Sequence, residues 1–454
     1  MSMLALDIND AGIVAFDGRD VRYREPGYAL LDDGELTTGN SAWRQARLRP
    51  RHIQDHFWSR LDTEALPDQR FRHLSAADLV SRQLEQIAAA AGSGIEQVIV
   101  AVPAYMEAGN LGLFLGICNE LGLPVTALVD AAVAATRREY SAAVPVHVDI
   151  SLHSALLTRL GQPGKAQVEK ADVVDAAGVA VLNDAWVRVI AEAFVRQSRF
   201  DPLHTAETEQ LLFDRLPDWL DAAAGGTSLS LEITHGGLTH AAEIDGLALT
   251  AAAAPVYQRI VTQLRALVRA GETPALQLTD RAARLPGLAD MLRARVGGEV
   301  FLLESAATAR GLYSRGRGLG TGGAVALLRQ LPWDQASVTV EVTPDDGDGG
   351  RPTHVLFGNH AYAINEEPLA LGTRAEEDGR WIVLEAAMPG VSRRHCTLEI
   401  DNNQCVVRDV SRFGTFLNGH RLEGSAVLQA GDTIRVGTPG YELRLITVER
   451  DHGA

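Results

Sequence analysis

Between Pro389 and Gly419 the chain gathers Ser392, Arg393, Arg394 and His395 in one turn, and Ser411, Arg412 and Asn418 in another. Hydroxyls, guanidinium forks and backbone N–H groups are all donors, and a phosphate dianion accepts from each of them. Phosphate recognition is therefore the chemistry these residue types suit. A second set is acidic: Asp7, Asp130 and Asp149 each stand where an apolar run ends. By itself an acid at such a bend assigns no chemistry. His235 and His240 flank Gly236-Gly237, and two imidazoles can bind a metal, but no third ligand stands out beside them, so they read as structural or exposed. No metal site is expected.

The phosphate-suited turns need strands to hold them. Cys396 to Ile400 and Cys405 to Val410 alternate apolar and polar residues, and Asp401 to Gln404 is a natural hairpin connection. The acids sit in a different pattern. Met3 to Ile8 and Ile13 to Phe16 read as strands, then residues 17–65 read as a loop-rich segment. That segment carries Arg44, Arg47, Arg49, Arg51 and Arg60 among Trp43, Phe57 and Trp58; a solvated helix face with its aromatics packed inward is preferred to a nucleic-acid grip.

Ser75 is an N-cap candidate for a helix to Ala91, with Leu79, Val80, Leu84 and Ile87 on one face. Gln97 to Ala104 reads as a buried parallel-type strand, Leu111 to Leu121 as a helix closed by Gly122, and Pro124 to Val129 as another strand with Asp130 at its exit. Val144 to Ile150 and Ala155 to Leu160 form a further hairpin. Helical stripes run through Trp186 and Phe194, and again through Tyr257 and Leu264. The alternation predicts an α/β domain.

The 454 residues allow two or three domains. A net charge of −16 argues against general binding to nucleic acid or anionic membranes, both polyanions. Three cysteines make no disulfide framework, and no stretch reaches the length of a membrane span, so a cytoplasmic location is expected. The acidic turn-forming run PDDGDGG at 344–350 marks the main boundary, with Val338 to Val342 before it as a docking strand.

The C-terminal motifs, Ser392 to His395, Ser411 to Gly419 and Leu428 to Gly437, resemble the forkhead-associated (FHA) domain, an all-β sandwich that binds phosphothreonine peptides. The resemblance implies that Ser392 and Arg412 touch the phosphate, with Arg393 at the pocket edge and Ser411 beside it. It implies that His395 braces the loop, and that Asn418 holds the second loop or the peptide backbone. Gly372, Gly414, Thr415 and Gly419 take the family's structural positions. Two positions depart from the pattern. Threonine stands at 373 where the family has its phosphate-binding arginine, with Arg374 one residue later, and Phe413 replaces the asparagine that reads the peptide. A one-residue slip turns a side chain to the opposite face, so Arg374 contributes only if the strand end bends.

Residues 1–330 resemble the two-lobed, RNase H-like nucleotide-binding domain of the Hsp70 and actin superfamily. The resemblance is carried by Val98 to Ala135, Leu276 to Leu292 and Glu304 to Gly311. It implies that Asp7 and Asp149 stand in the two phosphate hairpins and that Asp130 faces the nucleotide's metal. The glycines that let backbone approach phosphate are missing: the hairpins read Asp7-Ile8-Asn9-Asp10-Ala11 and Asp149-Ile150-Ser151-Leu152-His153-Ser154, and Thr279-Asp280 replaces an adenosine-side Gly-Gly. A pseudo-ATPase with no resident cofactor follows, weak binding of ATP and magnesium being the competing expectation.

Together these give an α/β two-lobed domain over 1–330, an acidic Gly/Asp linker over 331–350, and an FHA domain over 351–454. The expected role is an adaptor that binds a phosphothreonine-containing partner downstream of a Ser/Thr kinase while its actin-like domain docks other proteins. The alternatives are an ATP-binding chaperone or filament-type ATPase targeted by its FHA module, and a structural subunit of a larger assembly with neither ligand.

Overall fold

Met3–Asp7 and Gln97–Val102 are apolar at both parities, which suits strands covered on both faces. They lie side by side in parallel, Met3 opposite Gln97 and Asp7 opposite Ala101. The computed structural model describes residues 2–32, 35–223, 228–269, 272–319, 325–340, 352–357, 360–375, 379–384, 390–401, 404–418, 420–422, 424–437 and 440–446. They fall into two units, Met1–Glu341 and Val342–Ala454.

The N-terminal unit is mixed α/β and contains two six-stranded sheets. In the first, Met3–Asp7, Ile13–Phe16 and Val21–Glu25 form an antiparallel meander. Gln97–Val102 and then Val125–Asp130 continue the sheet in parallel on the other side of Met3–Asp7, and Leu327–Leu328 closes that edge. The second sheet repeats this plan. Val144–Ile150, Ser154–Gly161 and Ala166–Asp175 are the meander, Pro274–Leu278 and Glu299–Leu302 the parallel continuation, and Gln330–Leu331 the far edge.

Period-two alternation splits the first sheet between two cores. Leu4, Leu6, Val98 and Val100 pack with Leu79, Leu84 and Phe114 of helices Ala76–Ala91 and Ala108–Glu120. Met3, Ala5, Ile99 and Ala101 pack with Ala309 and Leu312 of Ala307–Gly316. The second sheet rests on helices Val179–Ser198 and Gly246–Leu267 through Trp186, Phe194, Tyr257 and Leu264.

Residues 17–65 are not the loop-rich segment expected. Val21–Glu25 completes the first meander, and Ala29–Asp32, Glu35–Thr38 and Ile53–Gln54 make a small sheet of their own. Of the arginines there, Arg47 pairs with Asp184 and stacks on Phe213 and Arg49 pairs with Asp32, while Arg44, Arg51 and Arg60 are exposed and the aromatics Phe57 and Trp58 are buried. The unit also runs past residue 330. Val338–Thr339 pairs in parallel with Tyr140–Ser141, so residues 331–340 are part of this unit rather than linker. The acidic run at 344–350 lies outside the described residues. Among the described residues no helix is long and apolar enough to cross a membrane.

The C-terminal unit is built from strands. One sheet runs His360–Ala363, His354–Phe357, Tyr441–Ile446, Thr433–Val436, Thr415–Leu417, His420–Arg421. The other runs Arg380–Val383, Leu369–Gly372, Cys396–Asp401, Gln404–Asp409, Ser425–Leu428. Val355, Ile434 and Leu443 of the first share a core with Leu371, Leu398 and Val407 of the second, making a sandwich.

Candidate functional site

At one end of the C-terminal sandwich three loops are tied to one another. Leu369–Gly372 ends at Gly372, where an added Cβ would lie 1.9 Å from the Arg393 carbonyl oxygen; glycine alone lets the two chains approach this closely. Beyond it the Thr373 N–H donates to Ser392 O at 3.2 Å and the Arg374 N–H to Arg393 O at 3.4 Å. Thr373 and Arg374 lie in a bend past the strand, and Arg374 is exposed.

His395 is fully buried behind these loops. Its Nδ1 accepts from the Ser392 N–H and its Nε2 donates to Gly414 O, each at 3.0 Å, which fixes the neutral Nε2–H tautomer. Burial lowers its pKa, outweighing the support it receives from the Gly414 carbonyl and Asp409. The Ser392 hydroxyl accepts the Arg412 N–H at 3.2 Å, linking the second loop to the third.

Asp409 organises that third loop, accepting from Ser411 N at 2.9 Å and from the Thr415 hydroxyl at 2.9 Å. Its pKa falls because those hydrogen bonds outweigh the burial that would raise it. Ser411 Oγ in turn accepts the Gly414 N–H at 2.7 Å. Ser411 therefore holds the loop from inside, while Arg393, Arg412 and Phe413 point outward as exposed residues. Among the described residues Arg374, Arg393 and Arg412 have no carboxylate partner; Arg394 lies 6.0 Å from the Trp381 ring. Asn418, at φ 50°, engages both amide atoms internally, donating to Asp432 at 2.7 Å and accepting from Thr433 N at 2.9 Å. Of its two expected tasks these contacts serve the loop. Gly419 lies outside the described residues.

In the N-terminal unit Asp7 and Asp149 come together through a residue the sequence reading did not single out. Arg281 Nη2 lies 2.9 Å from Asp7 and 2.8 Å from Asp149, and Nη1 donates to Gly12 O at 3.1 Å. Asp149 also receives the Thr279 hydroxyl at 2.6 Å and Asn9 Nδ2 at 2.8 Å. Asn9 Nδ2 reaches Ile150 O at 3.0 Å, and Asp10 accepts the Leu152 N–H at 2.9 Å, so the two hairpins are bonded directly to each other. Burial raises both carboxyls. At Asp149 the Arg281 charge and hydrogen bonds outweigh it and bring the pKa down to about 2, whereas Asp7 stays raised.

Asp130 does not join this cluster. It caps helix Ala131–Ala135 through the Ala132 and Val133 N–H groups, and burial raises its pKa. The cavity beside it measures about 260 Å³ and is lined by Lys170, Glu169 and Arg329 among others, which is below the usual range for a drug-sized ligand.

Comparison with protein families matches residues 375–437 to the FHA domain. No curated protein matches the chain.

Proposed function

We propose that this chain is an adaptor. Its C-terminal unit binds a phosphothreonine-containing protein, which implies a Ser/Thr kinase that writes the mark. Its N-terminal unit is a two-lobed Hsp70/actin-type domain whose nucleotide chemistry has been lost and whose surface docks other proteins. The three cysteines are buried and free, which suits work in a reducing cytoplasm.

The observation that carries the adaptor reading is the loop end of the C-terminal sandwich. Arg374, Arg393 and Arg412, exposed and without carboxylate partners among the described residues, stand in the turn of Ser392 or on loops bonded to it, and the Ser392 hydroxyl accepts the Arg412 backbone N–H. A phosphate dianion would receive charge-assisted hydrogen bonds from such groups, each contributing about 1.5–3 kcal/mol.

Two further observations support the reading of the N-terminal unit. Its sheets follow one plan twice, as two lobes of a duplicated fold do. Between them, Arg281 supplies the positive charge that a nucleotide's metal would otherwise bring to Asp7 and Asp149. Thr279 and Asp280, standing where the resemblance expects paired glycines, bond to Asp149 and Arg24.

Fluorescence anisotropy of the full chain with phosphothreonine, phosphoserine and unphosphorylated peptide libraries tests the proposal. Selective phosphothreonine binding that weakens at least about tenfold in Ser392→Ala and Arg412→Ala is expected. Equal affinity for phosphorylated and unphosphorylated peptides would overturn it.

A further inference from the structure

Where the two hairpins of the N-terminal unit meet, a second set of side chains converges that the closed aspartate–arginine cluster does not use. His153 occupies the turn between Val144–Ile150 and Ser154–Gly161. That turn is held firmly. Val179 N donates to Ser151 O at 2.9 Å and Ala180 N to Leu152 O at 2.8 Å. An added Cβ on Gly178 would lie 2.4 Å from the His153 backbone. Facing it, just after the strand Ile53–Gln54, come Asp55 and His56.

The imidazoles of His56 and His153 stack with centroids 3.5 Å apart and planes 15° apart. His153 Nε2 lies 3.7 Å from Asp55 Oδ1, and His56 Nε2 lies 4.0 Å from the same oxygen. One ligand atom from each residue falls within 4.8 Å of the others. Metal–ligand bonds of about 2.0–2.1 Å at tetrahedral angles put ligand atoms about 3.3 Å apart, and an imidazole binds an ion in the plane of its ring, so the stacked rings must turn out of their stack before both nitrogens reach one ion.

Among the described residues neither the His56 ring nor the Asp55 carboxylate makes a hydrogen bond, although Asp55 Oδ1 lies near both rings. His153 Nε2 donates to the Asp55 backbone carbonyl at 3.0 Å, a bond that gives way if this nitrogen takes the ion. The side chains are 29%, 45% and 19% exposed for Asp55, His56 and His153, leaving room for water as a further ligand. Beside them Asp10, fully buried, gives one oxygen to the Leu152 N–H while its Oδ2 is unpartnered among the described residues.

The geometry points to a divalent-metal site formed by Asp55, His56 and His153, suited to Zn2+ and completed by water. Two imidazoles and one carboxylate favour zinc and its neighbours over magnesium or calcium, which take all-oxygen shells. Three protein ligands with an open position match a zinc site that retains water. The ion ties the 53–56 segment to the second hairpin, adding a cross-link where Asn9 and Asp10 already join the hairpins.

The test is titration of the full chain, stripped with EDTA, with Co2+ followed by visible absorption and displacement by Zn2+. The expected result is about one ion per chain, with cobalt bands of low-coordinate N/O ligation. His56→Gln and Asp55→Asn, both at partly exposed positions, are each expected to weaken binding by about 100-fold or more. Excess Mg2+ leaves binding unchanged. His235→Ala/His240→Ala leaves it unchanged too, separating this site from the other histidine pair. Absence of Co2+ and Zn2+ binding, or binding insensitive to His56→Gln and Asp55→Asn, overturns the proposal.

Discussion

Arg281 shows how one side chain decides what a site can do. Two buried carboxylates side by side are tolerable only with a counter-charge, and its guanidinium, 11% exposed, sits between Asp7 and Asp149. Replacing it with Met leaves both acids without that charge, at an expected cost of about 3–5 kcal/mol in urea-denaturation stability. Adding Asp7→Asn is expected to restore part of the loss, because one of the stranded charges is then gone. A non-additive cycle between these substitutions is the signature; a neutral Arg281→Met rules out the counter-charge role. For Asp149 the sign is that of a depressed acid. Its contribution is fully present above the unfolded carboxyl value and is lost as pH falls through about 2. None of this was legible in the sequence: nothing local in Asp280-Arg281-Ala282 reveals aspartates distant in the chain. The side chains that stand where the resemblance expects glycines were the only sequence signal at these hairpins. Asp55, His56 and His153 were missed for the same reason, since His56 and His153 are brought together only by the meeting of two segments remote in sequence.

At the scale of the element, the three loops at the end of the C-terminal sandwich depend on Gly372 and His395. Gly372→Ala forces a Cβ onto a backbone oxygen that has no flexible way to yield. It is expected to destabilise the C-terminal unit by roughly 2 kcal/mol or more and to abolish phosphopeptide binding, read by thermal unfolding and anisotropy. His395→Ala strands the Ser392 N–H and the Gly414 carbonyl, each worth about 1–3 kcal/mol when left buried without a partner. Because burial depresses the His395 pKa, its contribution is complete above the unfolded histidine value near 6.5 and is lost as pH falls through the lower folded value. Wild-type stability of this unit should therefore fall with acidification below about pH 6.5, and the variant's profile should be flatter. These strands were readable because Cys396–Asp401 and Gln404–Asp409 alternate apolar and polar residues around a turn. Ala166–Asp175 was not read as a strand: its exposed, charged stretch masks the alternation, and pairing with Ser154–Gly161 supplies what its own sequence does not. Val21–Glu25 was hidden likewise, its Arg22, Arg24 and Glu25 resembling a solvated loop.

Across the whole N-terminal unit, the repeated sheet plan was visible only as an order of strands and helices. What the sequence could not convey is that the two halves are joined at their hairpins by polar contacts rather than held apart by a ligand. Asn9 crosses to Asp149 and Ile150, Leu152 to Asp10, and Arg24 to Asp280 and Ser305. An actin-type unit that works by nucleotide needs a state in which these contacts are open, because a ligand shifts an equilibrium only by its differential affinity for two states. Here Arg281 pairs with both aspartates, so under the function proposed above Mg–ATP has to break this ion cluster before it gains a contact of its own. Hydrogen exchange reads this directly. The Leu152 amide, donated to buried Asp10, and the Gly12 amide, donated to Asn9 O, are expected to be protected in ligand-free protein. Millimolar Mg–ATP is expected to leave that protection unchanged, whereas Arg281→Met is expected to reduce it in both hairpins together. Protection that rises on adding Mg–ATP to the wild-type chain would mean that nucleotide still enters, and the unit would then have to be read as a ligand-driven switch.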